Sequence, residues 1–326
     1  MIKEILKEKE EIVYYSLLNA IKNHRLSKMI LLSGPKNPLK IKTAYLLAQT
    51  IIEDSGDFAC EECNTCQRVL KGEYLDMIYI DGNEDKILKS DIDKLFEEFY
   101  QTSVEINNKK VFIINNINNS TDKVLNMILK FIEEPKDNVY GILISDEIDS
   151  LLETVKSRCQ IIPFRELSKE DIVDEYMHDG FERLDAYLLM NIFNEYQKID
   201  LNDELYLCAR DMVYRTIEIL DDAWMLEMEY QNNLYGYKDK KLKSVTDYYL
   251  SLMITVINDS FGCEIEDNEY QKMIAKLENY SRYELLDIFL KARDMCKYNY
   301  DRKLLLDSVA YKLGNIVQYR VGDYYE

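Results

Sequence analysis

The chain has 326 residues, of which 47% are hydrophobic and 31% charged, with a formal net charge of −19. That length allows two or three domains with cores of their own, and no apolar run approaches the ~20 residues of a membrane-spanning helix. So acidic a chain should repel the phosphates of nucleic acid as a whole, which points to protein partners and leaves DNA only a local basic patch to touch.

The N-terminus, MIKEILKEKEE, reads as an amphipathic helix without the apolar core of a secretion signal, so a cytoplasmic location is expected. A β-rich run at Met29–Leu32 comes next and opens the stretch LLSGPKNPLKIKTAYLLA (31–48). Strand, loop and helix in that order are the setting of a phosphate-binding loop, G-x-x-x-x-G-K-[ST]. Gly34 takes the first position and Lys40 the lysine position, but Leu39 stands where the second glycine belongs and Ile41 where the hydroxyl belongs. A branched side chain at 39 blocks the approach of phosphate to bare backbone, and Ile41 has no oxygen for Mg²⁺. Taken alone, the stretch reads equally well as an ordinary proline-containing turn.

Cys60, Cys63 and Cys66 follow in DFACEECNTCQR. Seven cysteines in all, with one tight cluster in a cytoplasmic-looking chain, argue for metal rather than disulfides, and closely spaced thiolates suit tetrahedral Zn²⁺. The competing reading is a cluster of reduced thiols with no ion.

Further strands are expected at Met77–Ile80, Val111–Ile114, Tyr140–Ile144 and Gln160–Phe164. Ile92, Leu95, Phe96 and Phe99 predict a helix over Ser90–Tyr100, with Ser90 and Asp93 as its N-cap pair. Val124, Met127, Ile128 and Phe131 predict a second helix over Thr121–Glu134, stopped by Pro135. Strands alternating with helices imply a parallel sheet covered on both faces. After Val111–Ile114, where P-loop enzymes carry acids that hold Mg²⁺ and polarise water, this chain has Asn115 and Asn116. An amide is a poor Mg²⁺ ligand and no general base. Asparagine-rich turns are ordinary, but two halves of one site failing together favours an inactivated nucleotide site.

The composition changes near residue 165. All four prolines precede that point, and nineteen of the 26 tyrosines lie from Tyr176 onward. Ser168-Lys169-Glu170-Asp171 is a capping start that opens a short helical unit to about residue 205, and long amphipathic segments follow to the end. Most of these tyrosines, and Trp224, are expected in helical cores. Proline-free helices also suit side-by-side association of subunits.

Two longer stretches, NNSTDKVLNMILKFIEEP (118–135) and ILISDEIDSLLETVKSRCQIIPF (142–164), resemble the clamp-loader branch of the AAA+ ATPases. They hold Ile132-Glu133-Glu134-Pro135, Leu151-Leu152-Glu153-Thr154 and Ser157-Arg158-Cys159 in the family's order and spacing, and NHRLSKMILLSGP (23–35) is similar to the family's approach to its P-loop. The likeness covers most of residues 12–165. It implies an α/β fold: an AAA+ P-loop-type parallel-sheet core over 1–165, a small helical lid domain over 166–205 and an all-α collar domain over 206–326.

The resemblance further implies that Arg158, flanked by Ser157 and Cys159, points out of its own subunit into a neighbour's ATP site as an arginine finger, where charge develops on the γ-phosphate. Without the surrounding motifs, Arg158 would be read as a local ion pair. The family's zinc module has a fourth cysteine at the position of Ile51, so here the fourth ligand falls to Glu53, Asp54, Asp57 or water, and a bound zinc would be structural. The whole implies a non-hydrolysing subunit of the bacterial DNA polymerase III clamp loader, for which no ATP or Mg²⁺ is expected. Its implied partners are the gamma/tau ATPase subunits and the delta subunit, and, through the complex, the sliding clamp and primed DNA, with no membrane. Two readings stay beside it: an active gamma/tau-like ATPase, against which Leu39, Ile41, Asn115 and Asn116 speak, and an adaptor that kept the fold.

Overall fold

The computed structural model describes residues 1–83, 86–133, 138–193, 195–220, 222–263, 265–298 and 300–322. The chain forms two compact units, Met1–Leu167 and Ser168–Glu326.

The N-terminal unit runs α1 (Ile2–Lys9), α2 (Glu11–Lys22), β1 (Met29–Ser33), α3 (Pro38–Glu53), α4 (Asn64–Leu70), β2 (Met77–Asp81), α5 (Lys89–Tyr100), β3 (Lys110–Asn115), α6 (Asp122–Glu133), β4 (Val139–Ser145), α7 (Glu153–Lys156) and β5 (Gln160–Pro163). The five strands make one parallel sheet in the order β2-β3-β4-β1-β5. Successive strand residues point to opposite faces, so alternate residues feed two separate cores. Ile30, Leu32, Val111 and Ile113 pack with Leu17 of α2, Leu47 of α3 and Val69 of α4 on one face. Met29, Leu31, Phe112 and Ile114 pack with Leu95 of α5, Ile128 of α6 and Val155 of α7 on the other. The sheet is covered on both faces, as the alternation of elements implied.

Two local expectations need comment. The cap of α5 is not Ser90 with Asp93. The helix begins one residue earlier, and Leu88 is its N-cap, with its N–H donating to Asp91 Oδ2 at 2.9 Å. Asp93 instead lies 3.7 Å from Lys89 on the same helix. The sequence offers an acid at both 91 and 93; with the helix starting at Lys89, Asp91 falls at the third helical position, within reach of the cap, and Asp93 does not. The proposed stop at Pro135, with Glu134, lies outside the described residues.

Among the described residues of the C-terminal unit the regular elements are all helices: α8 (Lys169–His178), α9 (Arg183–Phe193), α10 (Glu204–Glu218), α11 (Ala223–Asn233), α12 (Asp239–Asp259), α13 (Asn268–Lys276), α14 (Arg282–Met295) and α15 (Arg302–Gly322). The capping start is as read: Ser168 Oγ accepts from Asp171 N at 3.1 Å, and Asp171 Oδ2 accepts from Ser168 N at 3.1 Å. Helix α12 runs through the middle, against α9, α10 and α14. The tyrosine-rich, acidic composition has a packing explanation, because buried rings aim their hydroxyls at carboxylates or at each other. Tyr187 and Tyr270 donate to the two oxygens of Asp259 at 2.8 and 2.5 Å, Tyr206 donates to Asp185 at 2.7 Å, and Tyr230 and Tyr249 pair at 2.7 Å.

Trp224, by contrast, is not core: it is 69% exposed. Leu226 and Tyr230 form the buried stripe of α11. Trp224 stands two residues before Leu226, about 200° round the helix, and so faces outward. Among the described residues no helix is long and apolar enough to cross a membrane.

Candidate functional site

All five strands are parallel, so their C-terminal ends share one edge of the sheet. Gly34, Asp81, Asn115 and Asp146 gather there. The chain leaves β1 through Gly34 at φ +127, and a Cβ at that position would sit 2.3 Å from the Phe164 carbonyl oxygen. Only glycine fits this turn. Asn37 then caps α3, its side chain accepting from Leu39 N at 2.9 Å and donating to Glu10 Oε1 at 3.1 Å and the Arg165 carbonyl at 3.2 Å.

The lysine does not face solvent. Lys40 is 2% exposed, and its Nζ donates to the Gly34 carbonyl at 2.6 Å, the Ser145 carbonyl at 3.0 Å and Asp146 Oδ1 at 2.5 Å. An ammonium has three N–H donors, and here all three find acceptors within the chain. Burial lowers the Lys40 pKa, and the Asp146 carboxylate works against that shift. Leu39 is buried in the core, and Ile41 packs against the same core. Gly34, Leu39, Lys40 and Ile41 thus form a closed, self-bonded loop.

The amides after β3 are equally engaged. Asn115 Nδ2 donates to Tyr79 Oη and Asp81 Oδ1, each at 3.2 Å. Asn116 turns the chain at φ +48. Asn118 accepts from Asp146 N at 3.1 Å and donates to the Glu147 carbonyl at 2.7 Å, which ties the loop after β3 to the acid that holds Lys40. Asp146 and Asn118 escaped the sequence reading. The available signal was position: Asp146 directly follows β4, and Asn118 lies in the short turn after β3, two strands whose C-terminal ends meet at this edge.

Arg158 lies at the opposite edge. It follows α7 and precedes β5, so the length of a strand separates it from the loop at Gly34. Its Nη1 donates to the Thr154 carbonyl at 3.0 Å and to Ser157 Oγ at 3.4 Å, and its Nη2 lies 3.1 Å from Glu133 Oε1. The side chain remains 38% exposed. Cys159 packs into the core beside it, where burial pushes its thiol pKa up to about 11.

The cysteine cluster forms where α3 ends. Asp54 closes that helix at φ +50, and Cys63 is the N-cap of α4. Glu53 Oε1 lies 3.3 Å from Cys60 Sγ, 2.7 Å from Cys63 Sγ and 3.2 Å from Cys66 Sγ, and the four donor atoms fall within 4.8 Å of one another. Tetrahedral zinc with thiolate and carboxylate ligands spaces its donors about 3.6–3.8 Å apart, so the set fits with small adjustments. Cys63 N donates to Cys60 Sγ at 3.3 Å and Cys66 N to Cys63 Sγ at 3.4 Å, while the hydrogen bond to the Glu53 carboxylate pushes the Cys63 thiol pKa up in the absence of an ion. Burial raises the Glu53 carboxyl pKa, but hydrogen bonds from Cys63, Cys66 and Cys60 outweigh it and hold the group below its ordinary range. Of the three acids considered, the fold brings up Glu53; Asp54 pairs with Lys109 at 3.3 Å and Asp57 with Lys22 at 3.6 Å. Ile51 is buried in the core. Glu53, Cys60, Cys63 and Cys66 together could hold a metal ion.

Residues 9–168 match a family model described as DNA polymerase III, delta subunit. Over 208 residues the chain is 34% identical to DNA polymerase III subunit delta' of Bacillus subtilis (strain 168), a stretch covering 63% of this chain and 63% of that protein. It is 28% identical over 187 residues to DNA polymerase III subunit gamma of Buchnera aphidicola subsp. Schizaphis graminum, covering 56% of this chain and 51% of that protein. The chain therefore spans between half and two thirds of these relatives' lengths. Among solved structures, it is similar to a DNA polymerase III gamma subunit-related protein of Thermotoga maritima, with 16% identity and a TM-score of 0.48 over 93% of this chain and 99% of that one.

Proposed function

We propose, from the premise that residues 9–168 belong to the DNA polymerase III delta' family of clamp-loader subunits, that the chain is a subunit of the loader that does not hydrolyse ATP itself. It would sit in a ring with gamma/tau-type ATPase subunits and a delta subunit, in the cytoplasm, and support loading of the sliding clamp onto primed DNA. Residues 1–165 would be the AAA+ core, 166–205 the lid and 206–326 the collar.

The observation that carries this reading is the state of Lys40. In a working P-loop the lysine reaches the β- and γ-phosphates. Here its three donors are spent on Gly34, Ser145 and Asp146. An incoming phosphate would have to break a buried ion pair before gaining the lysine, and it would still meet the Leu39 side chain. Asn115, bonded to Tyr79 and Asp81, offers Mg²⁺ no anionic ligand of its own.

Arg158 would serve instead at the neighbour's site. It stands at the wrong edge of the sheet for its own P-loop, is partly exposed, and is aimed by Thr154 and Glu133. A fixed guanidinium beside the γ-phosphate stabilises the charge that spreads over its oxygens as the bond to the β-phosphate breaks. Ser157 supports the guanidinium, and Cys159 anchors the segment in the core.

The metal ion held by Cys60, Cys63, Cys66 and Glu53 would be zinc. Bound, it would tie the end of α3 to the start of α4 and so brace the insertion between them. It would take no part in hydrolysis, since no acid–base pair is aimed at it among the described residues.

The test is reconstitution. The chain, mixed with the same organism's gamma/tau and delta subunits, is expected to co-elute with them and to raise clamp- and DNA-stimulated ATP hydrolysis, while turning over no ATP alone. Turnover by the isolated chain would support an active ATPase instead, and failure to join the other subunits an adaptor.

A further inference from the structure

A cavity of about 770 Å³ in the C-terminal unit opens where α12 and α15 begin. Lys238, Lys240 and Lys243 line it from the start of α12, and Arg302 and Lys303 from the start of α15, with Lys297 between. The acids in its wall are Asp239 and Asp301. Asp301 is occupied as a cap, accepting from Lys303 N at 2.8 Å and Leu304 N at 3.3 Å. Nearby, Asp294 pairs with Lys297 at 2.9 Å, and Asp247 faces Arg302 at 3.4 Å. Cations therefore dominate this wall in a chain whose net charge is −19.

Their placement runs against helix electrostatics. A helix N-terminus carries a partial positive charge and favours anions, so lysines and arginines there repel it. Two such termini meet in one cavity, and the first turn of α12 has no side-chain cap. Arg302 itself is inward-facing: it is 8% exposed, its Nη2 donates to the Cys296 carbonyl at 2.9 Å and lies 3.4 Å from Asp247, so its charge is already compensated. The lysines have fewer such partners in the wall, and phosphate oxygens would answer them and the helix dipoles together.

The remaining walls narrow the choice. Tyr298 and Tyr300 line the cavity and are 72% and 55% exposed. Exposed aromatic rings interleaved with lysines are the pattern of single-stranded nucleic-acid sites, where bases stack on rings and the backbone follows the positive groove. A duplex keeps its bases paired and offers these rings nothing to stack on.

We propose that this basic, tyrosine-rimmed cavity binds the phosphate backbone of single-stranded DNA. The inference rests on the chemistry of the cavity and stands whether or not the loader reading holds.

The test is fluorescence anisotropy of a labelled oligo(dT) of about 12 nucleotides with the full chain. Binding is expected at low salt. If four phosphates are neutralised, it should weaken about 50-fold between about 50 and about 200 mM salt. Lys240 and Lys243 are exposed, so the double variant Lys240→Glu, Lys243→Glu should keep the native circular dichroism and lose oligo(dT) binding at least tenfold. Tyr298→Ala with Tyr300→Ala should also weaken it, by about 30-fold or more, because two bases lose the rings they stack on. The proposal is overturned by any of four results: no binding by the native chain at low salt, undiminished binding by the lysine variant, unchanged binding by the tyrosine variant, or equal affinity for a duplex of the same length. The third result would leave a site for small phosphates rather than for a strand.

Discussion

The guanidinium of Arg158 lies 3.1 Å from the carboxylate of Glu133, joining the start of β5 to the end of α6. Both partners are substantially exposed, at 38% and 47%. Such pairs contribute only about 0–1 kcal/mol, so this one can open at little cost when a stronger anion arrives. If Arg158 acts as proposed, Glu133 would hold it until then. Glu133→Gln is expected to leave the melting temperature of the chain nearly unchanged, while altering the ATPase of a reconstituted loader. A melting temperature lowered by many degrees would mean that the pair is structural.

Lys40 should behave oppositely. Its ammonium is buried against Asp146 and two carbonyls, so Lys40→Met leaves a carboxylate and two carbonyls short of a donor. The expected cost is about 1–3 kcal/mol, measured by urea titration, with no change in the ATPase of a loader that contains the variant. A loss of ATPase with stability intact would show that Lys40 still handles phosphate.

For the cysteine cluster, the expectation is one zinc per chain by metal analysis, and a tetrahedral, thiolate-rich spectrum when cobalt(II) replaces it. Glu53→Gln should weaken metal affinity, and Cys63→Ser should weaken it further. Undiminished affinity in Glu53→Gln would move the fourth ligand elsewhere.

Asp259 gives a pH dependence of definite sign. Burial raises its pKa above 3.8, although hydrogen bonds from Tyr270 and Tyr187 pull it back. The folded chain therefore holds this proton more tightly than the unfolded chain does. In the window from 3.8 up to the raised value, the folded state binds more protons, so stability falls as pH rises. Asp259→Asn should flatten that part of the stability–pH curve. An unchanged curve would place the acid-range dependence on other carboxyls.

Local pattern made much of the N-terminal unit legible. The apolar, β-rich run Met29–Leu32 read as a strand, and the alternation of strands with helices implied a sheet covered on both faces. The cluster at Cys60, Cys63 and Cys66 was visible from spacing alone. What stayed hidden depends on contacts between distant parts of the chain. That Lys40 would turn onto Asp146, 106 positions away, could not be seen from the loop itself. The choice of Glu53 over Asp54 and Asp57 was decided by where α3 ends. Trp224 was misread because its hydrophobicity was weighed without the helical frame set by Leu226 and Tyr230. The cavity at Arg302 brings together the starts of two helices, and neither segment announces it alone.

The most direct measurement is ATP hydrolysis by a loader reconstituted with clamp and primed DNA, in which only the ATPase site next to this chain is left active, comparing the native chain with Arg158→Ala. With assembly intact by gel filtration, the rate at that site is expected to fall about 10³-fold or more, and Arg158→Lys should restore little of it, because an ammonium cannot reproduce the fork of the guanidinium. A rate equal to that of the native chain would contradict the assignment of Arg158 as a finger in trans and leave the chain a scaffold.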